Sequence, residues 1–564
     1  MQQTGDALTQ IVVPIQPKRR ASTGKWLTYL SGTAISSLWL LGLTGSLAPA
    51  QTPRDIELQV GVVQRFGAKP NDELTLKARW GDRLTLNFNS NGEPVSVKAS
   101  EVKLEIQMEP LPSKGVDERL VLGTYRSFES AEETATQWRA KGIEVEIAQP
   151  RRWQVWAKRD AYSSPLVRRL LLQSLQAQGD KKAYLETNIV EQAPAPTWTV
   201  SGKRYSAPQL EITAGTGRIQ FKEGKDKKSE RLYPGILRLQ PNAYGTYTLV
   251  NQVPLETYLR GVVPHEIGGE APYASVEAQA ILARTYVLRN LRRFATDGYQ
   301  ICANTNCQVY KGLTGTWADA DRAVAATAGK VLTYKNELVD ALYYSTSGGV
   351  TAPFSDIWHG PERPYLQTVI DAPTSNVWDL SGQSLENEEN FRRFISLKKG
   401  FNEEGKELFR WREESSLENM NKDLRRYLED KKHPLANFKT IQQIQVVQRS
   451  RSGRALNMTV QTDAGTVELE KDEILRAFYA PLSTLFYVEP VYKKDSKDSK
   501  DSKSLKGYAF VGGGFGHGVG MSQIGSYKLA KMGWPSERIL SFYYPGTQIL
   551  PLSDSITFWR DPQF

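Results

Sequence analysis

The stretch ETYLRGVVPHEIGGEAPYASVEAQAILARTY, residues 256–286, leaves its backbone few choices. An apolar run, Gly261-Val262-Val263, meets Pro264, which lacks a backbone N–H and blocks a continuing helix, and Gly268, Gly269 and Pro272 keep the chain turning. Glu266 is therefore expected on a tight bend between an apolar strand and a long helix, not on a solvated helix face. From Ala274 to Leu291 there is no Gly or Pro, and Ala, Leu, Gln and Arg dominate, predicting a buried helix with Ser275 as its N-cap. A lone carboxylate at such a bend is placed as an acid catalyst would be.

Other strings accompany this one in a fixed order. Tyr258-Leu259-x-Gly261-Val262-Val263-Pro264-x-Glu266 continues into Glu277-Ala278-Gln279-Ala280 and Ala283-Arg284-Thr285-Tyr286. CANTNCQVYKG (302–312), YSTSGG (344–349), GFGHGVGMSQIG (514–525) and YYPGT (543–547) follow. Together they resemble the stage II sporulation protein D family, which also includes amidase-enhancer proteins. The resemblance covers roughly residues 193–371 and 506–564.

That resemblance implies a peptidoglycan lytic transglycosylase. One glutamate acts first as acid and then as base, while the substrate's own C6 hydroxyl closes onto the anomeric carbon to leave a 1,6-anhydro-N-acetylmuramoyl end. Glu266 is the matching carboxylate, and Val262, Val263, Pro264 and Ile267 are apolar neighbours expected to raise its pKa by desolvation. Hydrolysis would instead need a second carboxylate at a set distance, and Glu270 and Glu277 are near only in sequence. Arg284 is expected to reach a lactyl carboxylate or Glu266 itself. Tyr344, Ser345, Ser347 and Gly348 offer hydroxyls on a backbone that a ligand can approach closely. Glycines alternate around His517, leaving little bulk to bury it, so His517, Ser522 and Gln523 are expected to face the substrate. Ile524 stands where the family usually has an aromatic. His265, beside Glu266, reads as structural, and neither a nucleotide-binding strand order nor a Gly-x-Ser-x-Gly elbow occurs.

The formal charge is +10, of which Lys18, Arg19, Arg20 and Lys25 against Asp6 supply +3, leaving +7 for residues 51–564. A basic excess suits an anionic wall polymer or membrane surface. It would also suit nucleic acid, but no recognition motif for one is present and no nucleic-acid partner is expected. The basic cluster, the apolar residues 34–43 (AISSLWLLGL) and Ala48-Pro49-Ala50 read as a secretion signal or an uncleaved anchor. Either places the chain outside the cytoplasmic membrane, in the periplasm or envelope, with the membrane touched only through the N-terminal segment. Cys302 and Cys307, the only cysteines, can pair, stay free or lend two ligands to a metal. Some members of the resembled family hold zinc here with histidine before each cysteine. This chain has Asn306 before Cys307 and no histidine between His265 and His359, and two thiolates fall short of a four-ligand shell. A disulfide is the reading taken forward, with no metal and no cofactor.

Length suggests about three or four domains. Residues 51–118 read as a β-rich region, since residues 55–110 alternate polar and apolar positions around an Asn91-Gly92 turn, predicting antiparallel β-structure. Residues 119–192 read as a small α+β module of two strand–helix–strand units, closed by a linker at Ala193–Pro196. With Gly123-Thr124-Tyr125-Arg126-Ser127-Phe128 near its start, it resembles the sporulation-related repeat that binds peptide-free glycan strands. Residues 193–371 and 506–564 form the catalytic core. Between them lies an insertion, 372–505, with Trp378, Phe391, Phe394 and Trp411 spaced as in amphipathic helices, a β segment and a solvated Asp-Ser-Lys repeat. The whole reads as α+β: a β-rich N-terminal region with an inserted module, then a mixed α/β catalytic domain. Its expected partners are peptidoglycan glycan strands and a cell-wall amidase. The alternative to catalysis is a glycan-binding activator of that amidase.

Overall fold

The computed structural model describes residues 56–224, 229–374, 376–431, 433–493 and 504–559. The expected secretion signal and the Asp-Ser-Lys repeat lie outside the described residues. The fold is α+β, as the sequence pattern implies.

Strands β1 (Glu57–Phe66), β2 (Glu73–Ala78), β3 (Leu84–Ser90) and β4 (Glu93–Ala99) lead into a 25-residue strand, β5 (Glu101–Tyr125). Period-two alternation drives them: Leu84, Leu86 and Phe88 of β3 are buried while Asn87 and Asn89 are exposed. Asn91 and Gly92 join β3 to β4 with φ of 52° and 87°, the left-handed pair that a tight hairpin turn needs. The module follows as α1 (Phe128–Ala140), β6 (Val145–Ala148), β7 (Trp153–Ala157) and α2 (Pro165–Ala177), and the chain returns along β8 (Tyr184–Val200). Its strands lie in the order β8-β5-β7-β6, all antiparallel. Ser127 and Ser164 cap the two helices through their side chains.

The module is not hung on a linker. β5 and β8 pair from Leu104↔Trp198 to Val121↔Tyr184, so one continuous ribbon carries the chain out and back. Ala193–Pro196, expected as a boundary, is strand within that ribbon. Its prolines are tolerated because β9 (Lys203–Ser206) pairs with β8 only from Thr197 onward, leaving the outer edge at 193–196 without a ladder to break.

Strands β10 (Leu210–Ala214), β11 (Arg218–Glu223), β12 (Arg231–Pro234), β13 (Ile236–Pro241) and β14 (Tyr247–Pro254) complete two sheets. With β15 (Ile301–Cys302), one runs β15-β1-β14-β13-β10-β3-β4. The other runs β12-β11-β2-β5 and continues into the module. Their inner faces share one core with the helices α3 (Leu255–Ile267) and α4 (Tyr273–Arg289).

Helix α3 departs from expectation. Gly261–Val263 is helix rather than strand, and Pro264 lies inside it. Burial outweighs the missing N–H: Tyr258, Leu259, Val262 and Val263 are wholly buried, and Gly261 is needed because a side chain there would strike the Gly312 carbonyl. α4 starts two residues before Ser275, behind Pro272, and the Ser275 hydroxyl is buried without a partner instead of capping.

The charged insertion also differs from a solvated excursion. Its helices, Glu388–Ser396 and Leu417–Asp430, are amphipathic as expected, but their apolar faces are covered. Trp378, Phe391 and Phe394 pack in one cluster, and Trp411 packs in another with strands 441–470. The sequence pattern identified the apolar stripes; it did not reveal what would cover them. Among the described residues no helix is long and apolar enough to cross a membrane.

Candidate functional site

Glu266 sits in the last turn of α3, one residue before the helix ends at Ile267, with Gly268 as its C-cap. Helix ends leave carbonyls without intrahelical partners. Here the helix Gln523–Lys531 supplies them: Gln523 Nε2 donates to the Glu266 carbonyl at 2.8 Å, and the Tyr527 hydroxyl donates to that of Ile267. The distant GFGHGVGMSQ string thus fixes the end of α3 that presents the carboxylate.

The carboxylate is held from two sides. The Val309 N–H donates to Oε1 at 2.6 Å, and the Tyr343 hydroxyl bonds the same group. Behind Tyr343, the Tyr258 hydroxyl donates to Gln308 Oε1 at 3.2 Å, and Gln308 Nε2 donates to the Tyr343 hydroxyl at 3.1 Å. Tyr258 and Gln308 are fully buried, while Glu266 keeps part of its surface open. Burial raises the Glu266 pKa to about 7; the Val309 N–H and the Tyr343 hydroxyl oppose the rise. Among the described residues no second carboxylate contributes. Glu270 is exposed, and Glu277 faces Ser536 and Glu537.

Cys302 and Cys307 are joined as a disulfide, with Cα atoms 5.6 Å apart, immediately before Gln308 and Val309. The bridge therefore constrains the turn that delivers two of the groups around Glu266. Gln308, Val309 and Tyr343 were missed as site residues, although the first two lie inside the quoted CANTNCQVYKG string. Their signal was proximity to that string, not their own chemistry.

The remaining expected residues divide sharply. Arg284 is fully buried, and its Nε and Nη2 donate to the two Glu256 oxygens at 2.7 Å each, so it reaches neither Glu266 nor solvent. His517 also disagrees with expectation. Its Nδ1 accepts from the Val519 N–H at 3.1 Å, so Nε2 carries the proton it gives to the Tyr343 carbonyl at 3.0 Å. Between Tyr344 and Trp358, burial lowers its pKa to about 3 and keeps it neutral. The glycines around it are required by packing: a side chain on Gly518 would meet the Arg454 guanidinium, and one on Gly520 the Leu342 carbonyl. Tyr344 is buried with its hydroxyl unpartnered, and Ser345 is half-buried, lending its carbonyl to the Ile524 N–H.

Ser347, Gly348 and Ser522 serve a different cluster. Glu403, from the insertion, accepts from the Ser347 N–H, the Gly348 N–H (2.9 Å) and Ser522 Oγ (2.6 Å). Asp371 accepts from Ser347 Oγ, Asn402 Nδ2 and the Tyr543 hydroxyl, each at 2.8 Å. Burial and the neighbouring Asp371 charge push the Glu403 carboxyl well up, and burial raises that of Asp371 as well. Arg410 Nη1 and Arg454 Nη2 donate to the carbonyls of Gly348 and Ser347, completing the clamp on the YSTSGG loop. Among the described residues no three His, Cys, Asp or Glu side chains group as a metal would require. A cleft of about 640 Å³ lies elsewhere, between α1, the end of α4 and residues 354–365.

An α+β core thus holds one partly open carboxylate at a helix end, braced by three distant parts of the chain. Residues 243–334 match the stage II sporulation protein family, and residues 352–520 match a domain of unknown function (DUF8618). Stage II sporulation protein D of Bacillus subtilis is 26% identical over 56% of this chain and 80% of its own length. The amidase enhancer of the same organism is 26% identical over 52% of this chain, but only 40% of the enhancer is covered. An uncharacterized protein of Brachyspira hyodysenteriae is 25% identical over 67% of this chain and 89% of its own. These matches support the stage II sporulation protein D and amidase-enhancer family for this chain, most directly over residues 243–334.

Proposed function

We propose that this protein is an exported peptidoglycan lytic transglycosylase of the cell envelope, with Glu266 as its acid and base. The observation that carries the reading is a partly open carboxyl raised to about 7, with no second carboxylate acting on it. Such a group holds a proton near neutral pH and gives it to the glycosidic oxygen as the anomeric bond breaks. The resulting carboxylate then takes the proton of the substrate's C6 hydroxyl as that oxygen bonds to the anomeric carbon. Proton and bond counts close without water, which is why one carboxylate suffices. Tyr343 and the Val309 N–H orient the group, and half-buried Ser345 and Gln523 are proposed as sugar contacts. The module of residues 119–192 is proposed to hold the peptide-free strand; its order of strands and helices supports a small binding domain of that kind.

The name of one relative, an amidase enhancer, favours a second reading: a glycan-binding activator of a cell-wall amidase without chemistry of its own. One experiment separates them. The full chain and Glu266→Gln are incubated with peptide-free glycan strands, and strand ends are identified by mass spectrometry. Anhydro-muramoyl ends from the wild type alone are expected. Reducing ends would replace the transglycosylase by a hydrolase; bound but uncut strands with both proteins would favour the activator.

A further inference from the structure

Among the large apolar side chains, Trp80 is the most exposed by a wide margin, at 103% against 69% for Tyr479 and Ile189. It lies on the turn between β2 and β3. Arg79 and Arg83 flank it, and Arg218 lies alongside through the pairing Ile219↔Ala78; all three are exposed.

The turn is held rigid. Asp82 accepts from the Gly215 N–H at 3.0 Å, the Thr216 N–H at 2.9 Å and Thr216 Oγ1 at 2.7 Å, tying this crossover between the two sheets to the one between β10 and β11. The tip's only carboxylate is thereby used up, and an indole with guanidinium groups remains to face outward. An indole normally buries its apolar body and is at home where one end is apolar and the other wet. Indole and arginine side by side match the interfacial layer of a bilayer, and exposed arginines are drawn to anionic headgroups.

Strand topology says which end of the molecule this is. β1, β14, β13, β10 and β3 are successive antiparallel neighbours, so β1 and β3 run the same way. The pairings Glu57↔Pro254, Ile236↔Gln252 and Ala214↔Leu84 put the first residues of β1 and β3 at one end of the sheet. The Trp80 turn therefore projects from the end at which the chain arrives from residues 1–55. Residues 34–43 are apolar and follow Lys18, Arg19, Arg20 and Lys25. The residues from 44 to 55 span at most about 40 Å when extended. Taken as an uncleaved anchor, as the sequence allows, residues 34–43 keep a bilayer within that reach of the first residue of β1.

We propose that the Arg79–Arg83 turn, with Arg218, is a second contact with an anionic lipid bilayer, which orients the body on the membrane. The proposal is independent of the reading of Glu266. Because Cys302 and Cys307 are paired, Arg79→Cys introduces a single free thiol for a polarity-sensitive fluorophore. The full chain, so labelled, is reconstituted into vesicles of phosphatidylcholine alone or mixed with phosphatidylglycerol. A parallel label at Ala68→Cys, exposed beyond the far end of β1, reports the opposite end. A blue shift at position 79 on anionic vesicles is expected, absent at position 68, lost with Trp80→Ser and reduced by Arg83→Gln. A label at 79 that stays water-like, whether or not the chain sediments with vesicles, overturns the proposal. So does an equal shift at 68, a shift that survives Trp80→Ser, or a shift produced by lipid-free glycan strands, which would make the turn a sugar contact.

Discussion

Two groups of buried acids sit side by side in this molecule, and consecutive residues touch both: Ser522 bonds Glu403, and Gln523 bonds the backbone of Glu266. Burial raises the pKa in each. Beyond that they differ. Asp371 and Glu403 are wholly buried, and between them they accept from six donors on four segments of the chain. Glu266 accepts from one N–H and one hydroxyl and keeps an open face. A raised pKa marks neither as catalytic by itself. A saturated acid is a strut, whereas an acid with few partners and access to solvent can pass its proton to something else.

The largest test of this contrast is Glu266→Gln, which keeps an acceptor for the Val309 N–H but no transferable proton. Strand cleavage should fall by about 10²–10⁴-fold, the usual worth of a general acid–base group, while the melting temperature at pH 5 changes little. The variant should also alter the pH dependence of stability. A carboxyl whose folded pKa is about 7 against an ordinary 4.5 favours the fold while protonated, so the wild type loses stability as pH rises between those values. Glu266→Gln lacks that share of the decline, and chemical denaturation at pH 5 and pH 8 would reveal it.

Glu403→Ala attacks the other cluster. It strips the acceptor from the Ser347 and Gly348 N–H groups and from Ser522 Oγ, all in a dry interior. A loss of about 3 kcal/mol or more is expected, since each buried donor left unpaired costs about 1–3 kcal/mol, with urea unfolding as the readout. Glu403→Gln should cost less. If instead Glu403→Ala folds normally and only cleavage is lost, the division between strut and proton donor is wrong.

Tyr343→Phe is subtler. The hydroxyl favours the ionised carboxylate, so removing it should move the alkaline limb of kcat/KM, expected near pH 7, to higher pH. The rate below that limb should fall less than for Glu266→Gln. An unmoved limb would separate Tyr343 from the proton on Glu266.

Local sequence carried a good deal of this. Alternation gave the hairpin at Asn91-Gly92, and the strand–helix pattern of residues 119–192 gave the module's elements in their observed order. The desolvated setting of the Glu266 carboxyl was legible from its own string. What escaped depends on contacts between distant segments. Nothing near Pro264 reveals that Gly312 packs against Gly261 and keeps the segment helical. Nothing around Arg284 announces Glu256 as its partner, since any helix arginine after a glutamate looks the same. Glu403 is one acid in a densely charged insertion, and only the fold shows that it holds the YSTSGG loop. The same holds for the glycines around His517, which read as room for a ligand and prove to be room for Arg454.

His517 supplies the smallest expected effect and a useful control. Both ring nitrogens are committed within the protein, and burial lowers its pKa to about 3, so it should carry no charge between pH 5 and pH 8. A group whose folded pKa is depressed in this way favours the fold while neutral. Its share of stability is lost only as pH falls from its ordinary 6.5 toward 3. NMR of the imidazole nitrogens should show a fixed Nε2–H tautomer across the neutral range, and the activity profile should carry no limb from it. A titration near 6 would instead free the ring from Val519 and Tyr343 and return it to the candidates for a substrate contact.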